Sequence, residues 1–81
     1  MNVKEKVLLL LEQDIQSADQ ELKRWSASYQ QYAADLLFNE EQGFPVNMLT
    51  VNSRNLAKEE MAKARETKRL YTIAANAVRK A

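Results

Sequence analysis

The sequence predicts an all-α fold, an antiparallel helical hairpin that pairs with a second copy into a four-helix bundle. Three observations carry that expectation. Apolar residues in the first half alternate at spacings of three and four over four heptads. The single glycine and the single proline, Gly43 and Pro45, lie together near the middle of the chain. At 81 residues there is room for one domain, so residues 1–81 are read as one helical-hairpin unit.

The first helix is read from about residue 3 to about residue 41. Its stripe comprises Leu8, Leu11, Ile15, Ala18, Leu22, Trp25, Tyr29, Tyr32 and Leu36. A 3.5-residue period sustained this long favours coiled-coil packing of helices over a helix laid on a sheet. The intervening positions are mostly Gln, Ser, Asp, Glu and Lys, which suits a solvated outer face.

The turn is placed at about residues 42–45. Gly43 can adopt the left-handed conformation that ends a helix, and Pro45 suits the first turn of the next helix, where its missing N–H is not needed. So short a connection makes the two helices antiparallel neighbours.

The second helix is read from about residue 46 to about residue 80. One face collects Val46, Leu49, Leu56, Ala57, Met61, Ala64, Thr67, Tyr71, Ala74, Ala75 and Val78. Helix propensity falls across residues 50–54, where β-branched and short polar side chains compete for the backbone. The expected departure from a continuous helix is therefore a kink or short break near 50–54, with Ser53 available to cap a fresh start. Pairing about residue 43 sets residue i opposite roughly residue 87 − i. Trp25 then faces Met61 and Ala64, and Tyr71 faces Ile15 and Ala18, so large side chains oppose small ones and the alanines of the second helix act as clearance.

A lone hairpin leaves Leu9, Leu10, Leu37, Phe38, Val51 and Ile73 outside the seam. Each left in water forgoes on the order of 1.5–3 kcal/mol of burial, and together they form a sticky patch. A second copy related by a two-fold axis is the simplest cover, and it is the reason a homodimer is expected.

Composition points away from an enzyme. There is no cysteine and no histidine, which removes thiolate chemistry, the commonest metal ligand and the usual neutral-pH acid/base. One glycine cannot make a phosphate-cradling loop. The carboxylate pairs Glu12/Asp14, Glu40/Glu41 and Glu59/Glu60 are too close in sequence to converge from one helix, and Ser17, Ser26, Ser28 and Ser53 lack a base. No catalytic residue, metal or cofactor is expected. The longest fully apolar run, Val7 to Leu11, falls far short of the roughly 20 residues that span a bilayer. Lys4 and Lys6 precede it, but Glu12 and Asp14 close it without a cleavage site, so no membrane association and a cytoplasmic location are expected.

The net charge of +1 hides a segregation. Residues 1–44 carry four cations against eight acids, and residues 45–81 carry eight cations against three acids. The two halves should attract each other.

The function expected is that of a non-catalytic protein–protein interaction module: an adaptor, regulator, inhibitor or assembly factor that binds itself and an unidentified protein partner. The contact residues assigned are Leu9, Leu10, Leu37 and Phe38, with Trp25 and Tyr29 joining them if the seam is open. The alternative is a dimeric nucleic-acid-binding bundle using the basic face of the second helix, through Lys58, Arg65, Lys68 and Arg69.

Overall fold

The computed structural model describes residues 2–81. Helix α1 spans Val3–Glu41 and helix α2 spans Met48–Lys80, and the two pack along their whole length into a rod of 61 × 16 × 16 Å. Among the described residues there is no strand.

The start of α1 is fixed by a capping box. The Asn2 side chain accepts the Glu5 N–H at 2.8 Å, and the Glu5 carboxylate accepts the Asn2 N–H in return. Its end is fixed by Gly43, whose φ of +72° is the left-handed value expected of it. Phe44 N–H donates to the Asn39 carbonyl at 2.9 Å and Gly43 N–H to the Glu40 carbonyl at 3.1 Å, which is the Schellman arrangement.

The start of α2 differs from expectation by two residues. Pro45 lies in the connection and not in the first turn, because Asn47 is the stronger signal: its side chain accepts the N–H groups of Leu49 and Thr50. The same cap explains why no break occurs at residues 50–54. These low-propensity residues fall in the opening turns of α2, where Asn47 already satisfies the free N–H groups and Val51 N–H closes the first helical bond on the Asn47 carbonyl. Ser53 is an ordinary helical residue and caps nothing.

Every stripe residue of α1 from Leu8 to Leu36 is buried or half-buried, so the seam is the packed face. The inner face of α2 needs correction. Val46, Leu49, Leu56 and Thr67 are exposed, Leu49 by 77%. The buried line instead runs Thr50, Arg54, Ala57, Met61, Ala64, Lys68, Tyr71, Ala75 and Val78, a second strict alternation of three and four. Antiparallel coiling demands that two seams face each other, and that demand overrides the more apolar stripe through Leu49 and Leu56. Val51, expected outside, is half-buried beside this line, whereas Ile73 is exposed as expected.

The helix register is the one anticipated. Lys68 Nζ donates to Asp19 Oδ1 at 2.8 Å, a pair at the predicted level, and Trp25 shares a cleft with Ala64. What the packing encloses is small. Among the described residues the buried ones are Ala18, Ala57, Ala64 and Ala75, and no large side chain is fully buried.

Candidate interaction surface

With Leu8 at heptad position a and Leu11 at d, the α2 seam has Arg54, Met61, Lys68 and Ala75 at a and Thr50, Ala57, Ala64, Tyr71 and Val78 at d. The hairpin then has two unlike sides. Positions e and b of both helices line one, and positions g and c line the other.

The first side is bridged by charge, with a shallow hollow of about 370 Å³ lined by Leu22, Arg65, Lys68, Arg69, Thr72 and Ile73 beside the bridge. Lys68, although at a seam position, reaches out to Asp19, which also receives Lys23 at 3.1 Å. Arg79 bonds Glu12 at 3.1 Å, and Lys4 Nζ donates to the Ala81 carbonyl at 2.9 Å, placing a cation at the negative end of α2. These contacts tie the two helices together at three levels, and the opposite charge of the halves supplies two of them.

The Lys68 bond, followed by the one from Lys23, holds the Asp19 carboxyl below its ordinary value of 3.8. A folded-state pKa below the unfolded one adds stability that is present above the ordinary value and lost as pH falls through the lowered value. Asp19→Asn should therefore lose stability at neutral pH while showing a shallower further loss on acidification. Urea melts of both proteins at pH 7 and at about pH 3 check this. The same acid sensitivity in both proteins would refute it. Arg69 similarly holds Glu66 below the usual carboxylate range, within α2 alone.

The second side is open. Trp25 lines a shallow cleft of about 190 Å³ with Ala18, Glu21, Glu60, Lys63, Ala64 and Thr67. Its indole N–H donates to Glu21 Oε2 at 3.2 Å, and the Arg24 guanidinium, itself bonded to Glu21 at 2.7 Å, lies 5.4 Å from the ring centroid. With Lys63 bonded to Glu60 at 3.2 Å, the charges in this band are paired within their own helices. Outside the band this side carries most of the exposed large apolar residues, interspersed with Asp14, Ser17, Gln31 and Asp35. Val7 and Leu10 of α1 and Leu70 of α2 lie towards the termini, and Phe38, Leu49 and Leu56 lie towards the turn; all are exposed.

A third feature is a groove of about 420 Å³ at the turn, lined by Leu36, Asn39, Glu40, Gly43, Phe44, Val46, Val51 and Arg54. Arg54 is the second cation at a seam position of α2. Unlike Lys68 it meets no carboxylate among the described residues, bonding only the Asn55 side chain at 3.4 Å.

The structure divides the residues assigned from sequence. Leu9, Leu10, Leu37 and Phe38 are all open, at 43, 60, 57 and 57% exposure. Leu10 and Phe38 lie on the open side, and Leu9 and Leu37 on the charged side. Trp25 and Tyr29 are half-buried in the seam, with Trp25 at its open edge. Of the basic residues, Lys68 and Arg69 are engaged with Asp19 and Glu66, whereas Lys58 and Arg65 have no ion pair among the described residues. Sequence reasoning missed Leu49, Leu56 and Leu70 as surface residues. Their spacing of seven and fourteen was the available signal, obscured because Leu49 and Leu56 also fit a helical face with the true seam.

Among the described residues no three acids gather as metal ligands, and no helix is long and apolar enough to cross a membrane. The chain matches no protein-family profile, and neither curated proteins nor solved structures give a significant match.

Proposed function

We propose that this chain is a small non-catalytic protein–protein interaction module, a helical-bundle homodimer that acts as an adaptor, regulator, inhibitor or assembly factor by docking on another protein. One observation supports this above the others: among the described residues the hairpin encloses four alanines and leaves every large apolar side chain at least partly open. Its accessible surface is 6,095 Å² at 9.3 kDa, where surface scaling for a compact monomer of that mass gives about 5,000 Å². The excess, about 1,100 Å², is more than the roughly 800 Å² one partner contributes to a standard stable interface. A nucleic-acid surface is the weaker reading, because two of its four cations are already engaged in ion pairs.

Sedimentation equilibrium tests the dimer. At micromolar concentration the expected mass is twice the 9.3 kDa of the chain. A stable monomer would remove self-association from the reading and leave the apolar residues to a different protein.

A further inference from the structure

We infer that two copies pack through the open Trp25 side with their turns at the same end, so that α1 of each copy lies against α2 of the other. This rests on the homodimer reading and adds to it a face and a direction. The face follows from the contrast between the two sides. On the charged side, the Asp19–Lys68 and Glu12–Arg79 pairs bridge the helices and are served by solvent, and covering them would strip water from charges at a cost of several kcal/mol per ion. On the open side, Val7, Leu10, Phe38, Leu49, Leu56 and Leu70 stand exposed, and the polar band between them is already paired internally. Burial there removes the larger apolar surface from water, and the charges it covers are the two internal pairs together with Asp14 and with Asp35, which accepts from Gln31.

The direction follows from charge segregation. Helix α1 carries four cations against eight acids, and α2 carries eight cations against three acids. Turns at opposite ends would set α1 against α1 and α2 against α2 at a helix spacing of about 8–10 Å, close to the screening length at physiological salt. Turns at the same end make every neighbouring pair antiparallel and opposite in charge. A two-fold axis along the rod also keeps each residue at its own height. The register that brings Lys68 to Asp19 within one hairpin then brings Phe38 of one copy to Leu49 of the other, and Leu10 to Ala77. The second of these contacts repeats the large-against-small fit of the seam.

The chain has no cysteine, so Gln42→Cys at the turn gives a single attachment point for a nitroxide spin label. Two labels at one end of a bundle lie within about 30 Å, allowing for helix spacing and label length. In the opposite arrangement they are separated by nearly the 61 Å length of the rod. Double electron–electron resonance should give the short distance. A long distance in a protein that still sediments as a dimer would overturn the direction while the homodimer reading stands, and a monomer would overturn both. The face has its own test. Leu56→Glu should raise the dimer dissociation constant about thirtyfold or more, and Ala62→Glu on the charged side should leave it within a few-fold. The reverse order, with both variants equally helical by circular dichroism, would exclude this face.

Discussion

Ala57→Leu will destabilise the protein by about 1–3 kcal/mol, whereas Leu56→Ala at the neighbouring position will cost no more than about 1 kcal/mol of chain stability. On hydrophobicity alone the order should be the reverse. Ala57 is 0% exposed and occupies a seam position of α2, so its methyl group is fully covered by its surroundings. Added methylenes there must push α1 away, and along a two-helix contact no second layer exists to absorb the shift. Leu56 is 49% exposed and contributes little to holding the hairpin together, so its loss is felt in association and not in folding. Ala75, also 0% exposed, should behave as Ala57 does. Urea melts give the total loss for each variant, and the dimer dissociation constant from sedimentation, converted to free energy and subtracted, separates the two effects. Equal losses at positions 56 and 57 would mean that the seam is looser than the structure describes.

The contrast between positions 56 and 57 also shows which parts of the fold were legible in the sequence. Helix α1 was legible nearly to the residue, because its seam positions from Leu8 to Leu36 are apolar without exception and their spacing admits one period. The turn was legible through Gly43, whose positive φ few other residues would tolerate. The start of α2 was not, because Pro45 and Asn47 are both start signals two residues apart, and only the bonds made by the Asn47 side chain decide between them. The inner face of α2 was misread for a deeper reason. Arg54 and Lys68 occupy seam positions that pattern reading reserves for apolar residues, while Leu49, Leu56 and Leu70 lie on the outside. A cation at a seam is tolerated where its stem packs and its head escapes to an acid, as Lys68 does at Asp19, and nothing local in the sequence announces that pairing. Once the seam is placed correctly, the surplus apolar residues cease to be scattered exceptions. Leu10 and Phe38 join Leu49, Leu56 and Leu70 on one side, and Leu9 and Leu37 fall on the other.

That gathering leads to the second large effect, a dependence of stability on protein concentration. A hairpin whose enclosed residues are four alanines has little apolar burial to set against the entropy of ordering 81 residues. If the open side is covered by a second copy, unfolding releases two chains from one folded unit. Each tenfold increase in concentration then adds about 1.4 kcal/mol to apparent stability, and a thousandfold range adds about 4 kcal/mol. For a cooperative unit of two 81-residue chains, 1 kcal/mol moves the melting temperature by roughly 2–4 °C, so the shift across that range is about 8–16 °C. Thermal melts followed by circular dichroism from sub-micromolar to sub-millimolar concentration measure it directly. Leu56→Glu should flatten the dependence and leave a weak, concentration-independent transition. A wild-type midpoint that stays constant over the whole range would show that the two half-buried seams suffice alone, and would place the apolar side at the disposal of a different protein.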